Sequence, residues 1–186
     1  MLYIKFKILN QEKFSDFQKV YQHMLKVRTP GFDFKVNMDE VDWANITDEE
    51  EELLFDEDLQ LKKRYSELFP DYANAFLERY FSGDNVDSSG SIEVFPILNY
   101  LEYGFEVDMN NLELLDEHYG LVEFSTGNFP FGGMERFLMV LKAYDLVPVE
   151  CFNGFTIYEF DWISEFEHNA IELSEKTIKY LKKIKT

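Results

Sequence analysis

The chain begins with a strict alternation of apolar and polar side chains over residues 2–8, which predicts a half-buried β-strand. Apolar residues then recur at helical spacing over residues 14–25, behind the N-cap candidate Asn10. The alternation returns over residues 32–36, which predicts a second strand. Residues 1–36 are therefore predicted to form a β-α-β unit.

The middle of the chain, residues 37–118, is predicted to be mainly helical. Thr47 followed by Glu50 fits a capping box, which predicts the start of a helix. Helices are predicted over residues 48–57, 58–69, 71–82 and 96–103. The last of these is ambiguous, because residues 92–97 also fit a strand. Residues 83–91 are predicted to form a loop.

The last third, residues 119–186, predicts a β-α-β-hairpin-α unit. The strongest signal is Asn153-Gly154 between two hydrophobic runs, because both residues tolerate positive φ in a tight hairpin turn. Ser174 is predicted to cap a last helix whose apolar face holds Ile178, Leu181 and Ile184. Strands are predicted over 121–125, 147–152 and 155–162, and a helix over 133–144.

The order of these elements predicts the fold class. It is an α+β domain covering residues 1–186, with a mostly antiparallel sheet, a helical acidic middle segment and a C-terminal β-α-β-β-α unit. Because 17% of the residues are aromatic, we expect a packed core and not a disordered chain.

Charge is distributed unevenly over a net value of −18. Residues 37–131 hold 24 acidic and four basic side chains, and residues 80–135 contain no Lys or Arg. Such a field repels nucleic acid and anionic membranes, and it attracts basic proteins. A single cysteine, no signal peptide and no long apolar run predict a cytoplasmic location.

Residues 127–134 have two glycines at the spacing of a phosphate-binding loop, between a predicted strand and a predicted helix. That loop requires Lys and then Ser or Thr after its second glycine, where this chain has Gly133 and Met134. We therefore expect no nucleotide there. Phe129 and Phe131 are expected either to pack against the sheet or to contact a partner.

Residues 85–96 resemble part of a calcium-binding EF-hand loop. Its twelfth position requires a bidentate Glu but holds Pro96, and its first holds Asn85 where Asp is usual. A solvated turn is the simpler interpretation, and we expect no calcium site.

No catalytic or metal-binding pattern is present among the remaining candidates. His23, His118 and His168 lack zinc-ligand spacing, and His23 is expected on the surface of its helix. Cys151 is predicted to be a buried, inert thiol in phase with Val147 on its strand. We expect neither a cofactor nor a metal, and no catalytic residue.

The segment over residues 39–58 contains eleven acidic side chains and no basic one. A solvated helix face is the plain interpretation, but Trp43 and other apolar residues interleave with the charges and should anchor the segment. We therefore predict a surface for a basic protein. The predicted partner-binding residues are Asp39, Glu40, Asp42, Trp43, Asp48, Glu49, Glu50, Glu51, Glu52, Asp56, Glu57, Asp58, Phe129 and Phe131.

The leading functional hypothesis is a non-catalytic acidic protein that sequesters a basic protein partner. Immunity proteins, the small acidic cytoplasmic inhibitors of nuclease toxins, have this size and charge, and a DNA-mimicking protein is a variant of the same idea. The alternative is a small-molecule-binding domain or an enzyme with a pocket near the 125–133 loop.

Overall fold

The structure, a computed structural model, describes residues 1–34, 38, 41–82, 95–126 and 133–184. Its centre is one six-stranded sheet in which all neighbouring strands run antiparallel, in the order β2-β3-β1-β4-β5-β6. The strands are β1 (Leu2–Ile8), β2 (Asp108–Leu114), β3 (Tyr119–Ser125), β4 (Leu146–Phe152), β5 (Ile157–Trp162) and β6 (His168–Glu172). The predicted α+β class is therefore confirmed.

The helices fall where the apolar spacing predicts them. They are α1 (Gln11–Val27), α2 (Asp48–Phe55), α3 (Glu57–Leu68), α4 (Asp71–Ser82), α5 (Phe95–Asn99), a π-helical turn (Tyr100–Gly104), α6 (Glu135–Ala143) and α7 (Ser174–Ile184). The predicted helix over 96–103 is thus split between α5 and the wider π-helical turn. Asn10 caps α1 as predicted, accepting hydrogen bonds from the amides of Glu12 and Lys13.

The main core lies between one face of the sheet and helices α1 and α3–α6. The alternation in β1 places Ile4, Phe6 and Ile8 on this face, where all three are buried. From α1, Phe17 packs against Phe137 of α6 at a ring-centroid distance of 6.4 Å. Burying these large side chains supplies the main favourable term for folding, at about 25 cal/mol per Å² of apolar surface.

Helix α7 lies on part of the opposite face of the sheet. Its Tyr180 ring lies 5.7 Å from the Tyr3 ring and 4.9 Å from the Phe152 ring. The predicted apolar face of α7 is only partly correct: Leu181 joins this cluster, but Ile178 is 55% exposed. The described side chain that α7 buries most fully is Thr177, whose hydroxyl accepts a hydrogen bond from the Ile157 amide.

The predicted hairpin is confirmed, with β4 and β5 paired from Glu150 opposite Glu159 to Phe152 opposite Ile157. Its connection is longer than a two-residue turn. The Asn153 side chain accepts hydrogen bonds from the amides of Phe155 and Thr156, and Gly154 has φ +98°. Positive φ is therefore needed at the glycine only.

Three features of the sheet differ from the prediction. Residues 32–34 are not a strand: the Phe32 and Phe34 rings pack on each other with centroids 4.8 Å apart, and these residues pair with no strand of the sheet. The described part of residues 1–36 is therefore a β-α unit. β2 lies inside the segment predicted to be mainly helical. β6 adds a strand between the hairpin and α7. The predicted loop over 83–91 lies outside the described residues.

Cys151 is buried as predicted, but it does not share a face of β4 with Val147, contrary to the sequence prediction. A bulge leaves Lys5 opposite Glu150 and Phe6 opposite Pro148, so that Val149 has no partner in the register. Cys151 therefore pairs with Ile4 on the core face, while Val147 lies on the other face.

Among the described residues, no helix combines the length and the apolar character that crossing a membrane requires.

Candidate partner-binding surface

Helix α2 carries the acidic run and is held by local interactions. The Thr47 hydroxyl accepts a hydrogen bond from the Glu50 amide, and the Glu50 carboxylate accepts one from the Thr47 amide, which is the predicted capping box. The Thr47 amide and the Thr47 hydroxyl both donate hydrogen bonds to the Glu50 carboxylate, and these two bonds lower the pKa of Glu50 below its ordinary value. None of the described side chains of α2 is buried. The helix is therefore a peripheral element that presents its carboxylates to solvent.

The predicted acidic residues divide into two groups. Three of them have local structural roles: Asp42 accepts hydrogen bonds from Ala44 and Asn45, Glu50 closes the capping box, and Asp56 caps α3. The other described acidic residues are exposed, and their carboxylates make none of these local hydrogen bonds: Asp48, Glu49, Glu51, Glu52, Glu57 and Asp58. The predicted residues Asp39, Glu40, Phe129 and Phe131 lie outside the described residues.

Two exposed aromatic side chains accompany the charges. Trp43 stacks on Phe55 with ring centroids 6.4 Å apart and an angle of 28° between the rings. Trp43 is 51% exposed and Phe55 63% exposed. Trp43 lies beside the carboxylates of α2 through this stack, since Phe55 is the last residue of α2, but neither ring packs against the described core, so the stack does not anchor the segment as expected.

A groove of about 520 Å³ separates α2 from the π-helical turn. Tyr103, which is 63% exposed, and Phe55 belong to its walls. Asp33 and Glu57 place carboxylates in the same lining, and the Gln60 amide donates to the last carbonyls of α2. The full lining is Asp33, Phe34, Met38, Leu54, Phe55, Glu57, Gln60, Arg64 and Tyr103. The groove thus combines aromatic and apolar walls with two carboxylates, the Gln60 amide and the Arg64 guanidinium.

Behind the groove lies a buried carboxylate. Glu102 has a side chain only 1% exposed, and its Oε1 atom lies 2.8 Å from Nε2 of His23 and 3.5 Å from Nε of Arg64. Its Oε2 atom has no hydrogen-bond partner among the described residues. The expectation that His23 lies on the surface is therefore wrong: the His23 side chain is only 14% exposed, because its ring contacts Glu102 of the π-helical turn.

Arg64 connects this cluster to the groove. Its guanidinium lies 4.1 Å from the centre of the Phe34 ring, a cation–π contact. Phe34 in turn lies 6.1 Å from the His23 ring and 6.4 Å from the Tyr103 ring. The arginine is therefore fixed between a carboxylate on one side and an aromatic ring on the other.

Arg28 holds the π-helical turn in place. Its guanidinium donates to four backbone carbonyls, those of Met24, Leu101, Phe105 and Val107. Burial lowers the pKa of Arg28. Leu101 lies in the π-helical turn and Phe105 follows it directly, so these bonds satisfy carbonyls at the end of the turn and connect it to α1.

The alternative site near the 125–133 loop is described only in part, at residues 125, 126 and 133. A cavity of about 310 Å³ adjoins Ser125 and Thr126, and its other walls include Arg28, Glu106 and Asp108. Within the described ranges, no group of His, Cys, Asp and Glu has the arrangement of a metal site. The partial calcium-loop resemblance over residues 85–96 falls almost wholly outside the described ranges; its last position, Pro96, lies in α5.

Cys151 offers no nucleophile. Burial raises the pKa of its thiol to about 12, with the Glu150 carboxylate adding to the shift. The neutral thiol is therefore the form present near neutral pH, in keeping with the predicted inert residue.

Sequence reasoning missed the residues that give this surface its shape: Phe34, Arg64, Glu102 and Tyr103. The only local signal was Glu102, a single charge in the apolar run from Ile97 to Phe105. A carboxylate at such a position must find partners when the run is buried.

Comparison of the chain with protein family models, with curated proteins and with solved structures finds no match to any of them.

Proposed function

We propose that this protein is a non-catalytic binding protein that sequesters a basic protein through α2 and the adjoining groove. One observation carries the proposal. Among the described residues, none of the carboxylates of α2 is neutralised by an ion pair, and exposed aromatic rings stand beside them. In size and charge the protein resembles the immunity proteins that neutralise nuclease toxins, which makes a toxin of that kind the first partner to test.

The electrostatics of α2 support this proposal. Five consecutive acids repel one another, and although four of them lie in the first turn, the helix dipole offsets only part of that repulsion. The like charges therefore reduce stability unless a cationic partner is present. An unpaired acidic helix also speeds the encounter with a basic protein, because the long-range field steers the partner toward it.

Charge alone gives little affinity in water, so the aromatic residues matter. Aromatic side chains that a partner desolvates account for much of the binding energy in protein interfaces. Trp43, Phe55 and Tyr103 are each more than half exposed and lie at or beside the groove. They supply the apolar contacts that surround α2.

The test is to capture a partner with the tagged protein, identify it, purify it and measure association rates by stopped flow. In the test variant, Glu49, Glu51 and Glu52 are replaced with Gln, and Glu50 is kept because it closes the capping box. We expect the association rate at low salt to fall about threefold to tenfold, and the difference to shrink as salt is added.

The matched control removes the same charge elsewhere, by replacing the exposed Glu113, Glu159 and Glu175 with Gln. We expect this control to lower the logarithm of the association rate by less than half as much as the α2 variant does. Equal effects would mean that only net charge matters, and the proposal that α2 is the binding surface would be lost.

A further inference from the structure

The groove between α2 and the π-helical turn has the walls of a site for a planar cation. Phe34, Phe55 and Tyr103 contribute aromatic rings, and Asp33 and Glu57 contribute carboxylates. We infer that this groove receives one arginine side chain of the basic partner, an inference that rests on the proposed function and specifies its anchor.

The chain itself shows how a guanidinium fits this surface. Arg64 already lies over the Phe34 ring at 4.1 Å. A guanidinium is planar and weakly hydrated, so it stacks on aromatic faces at a smaller desolvation cost than an ammonium group. A second guanidinium can therefore use the remaining rings, Tyr103 and Phe55, while its N–H groups reach the Glu57 carboxylate.

The charge of Arg64 does not oppose this occupant, because Glu102 balances it at 3.5 Å. With that pair neutral, the exposed Glu57 carboxylate and the neighbouring carboxylates of α2 leave this side of the groove negative. Burial, and after it the Glu102 carboxylate, raises the pKa of Tyr103. An anionic ligand would face these carboxylates and α2 together, which makes the groove selective for cations.

The choice of arginine over lysine follows from shape. The apolar walls contact the flat faces of a guanidinium, whereas a lysine ammonium must keep more of its water and contacts rings through one compact charge. An apolar side chain would fill the groove but leave the Glu57 carboxylate without a cation. We therefore expect the order arginine, then lysine, then neutral analogues.

The experiment titrates ¹⁵N-labelled protein with acetyl-Gly-Arg-Gly-amide and follows amide chemical shifts. The matched probes carry citrulline, which has the shape of arginine without its charge, or lysine in the central position. We expect the arginine peptide to shift the amides of Leu54, Gln60 and Tyr103, and the citrulline peptide to bind at least about fivefold more weakly.

Two variants locate the site. Tyr103→Ala removes an exposed wall and should weaken binding of the arginine peptide about fivefold, and Glu57→Gln should weaken it about threefold. The control is Phe155→Ala, an aromatic side chain 70% exposed on the β4–β5 connection, which should leave binding unchanged.

A parallel titration with deca-lysine separates this inference from the proposed function. If deca-lysine binds α2 in a salt-dependent way but the arginine peptide shifts no groove amide, the groove inference is overturned and the acidic surface stands. If citrulline binds as well as arginine, the inference is also overturned. If neither deca-lysine nor any captured basic protein binds, the proposed function itself fails, whatever the groove does with a small peptide.

Discussion

Nε2 of His23 lies 2.8 Å from Oε1 of Glu102, and this contact joins α1 to the π-helical turn. Arg64 of α3 approaches the same oxygen at 3.5 Å, so three helical elements meet at one carboxylate with a side chain 1% exposed. The carboxylate is thus an interior connection between the core and the back wall of the groove.

Replacing Glu102 with Ala should destabilise the protein strongly. It would leave Arg64 and His23 partly buried without their anionic partner, and we expect the free energy of unfolding to fall by about 2–4 kcal/mol. The measurement is urea unfolding followed by circular dichroism. The control is Glu106→Ala, four residues further along and exposed, which should change stability by less than about 0.5 kcal/mol. Equal losses in the two variants would contradict a structural role for the buried carboxylate.

Gly120 should not tolerate a side chain. A Cβ atom there would lie 2.4 Å from Cε2 of Phe6, a fully buried ring that cannot withdraw without disturbing the core. We expect Gly120→Ala to cost about 1–3 kcal/mol, seen as a lower thermal midpoint. Gly104→Ala is the matched control, because a Cβ atom there would meet its nearest neighbour, Cδ2 of Tyr100, at an ordinary 3.6 Å. Similar midpoints for the two variants would show that β3 shifts to make room.

Thr47→Ala should loosen α2 without unfolding the rest of the protein. It removes the hydroxyl that accepts from the Glu50 amide, a cap worth about 1 kcal/mol. Hydrogen exchange of the α2 amides should become faster, by roughly fivefold for that free energy. The amides of β1 should be unaffected, since α2 buries no described side chain. Faster exchange throughout β1 would instead show that α2 supports the whole fold.

Cys151 should make stability fall in alkaline solution. Its thiol has an ordinary pKa of 9.0, but burial raises the folded pKa to about 12. Between these values the unfolded chain has lost a proton that the folded chain keeps, so stability decreases as pH rises. Buried tyrosines such as Tyr65 and Tyr100, with pKa values raised by burial, act in the same direction from about pH 10.

The contribution of Cys151 is isolated by comparing the protein with Cys151→Ala in urea unfolding from pH 8 to pH 10. The variant is expected to be less stable overall because it leaves a small cavity. Its decline with pH should nevertheless be shallower, by up to about 1 kcal/mol per pH unit above the thiol's ordinary pKa. Parallel curves would mean that the thiol ionises equally in both states.

Elements with a strong local signal were predictable from the sequence. β1 alternates because one of its faces is buried, and the capping box at Thr47 depends on residues only three positions apart. The edge strands β2 and β6 were missed because solvent reaches much of both faces, so that Asp108–Leu114 buries only Met109 fully. β2 and β6 are strands because they hydrogen-bond to β3 and β5, and the local sequence of β2 and β6 does not show this pairing.

For the surface formed by α2 and the groove, the sequence predicts the charge but not the shape. The acidic residues of α2 are contiguous in the sequence, so their clustering needs no tertiary structure. The groove joins Phe34, Phe55, Arg64 and Tyr103, which lie up to about 70 positions apart and meet only because α3 and the π-helical turn pack on α1. The alternation of Phe32 and Phe34 was misleading for the same reason, since these rings serve an aromatic cluster and not a sheet.

The strand order has a consequence for synthesis on the ribosome. β1 lies between β3 and β4, so Leu2–Ile8 cannot complete its hydrogen bonds until residues up to Phe152 have been made. At about 5–20 residues per second, the strand waits roughly 8–30 s with its apolar face unsatisfied. Among the six strands of the sheet, β1 therefore waits longest for its second neighbour, and a chaperone that binds extended apolar segments would have a target in Leu2–Ile8 during that time.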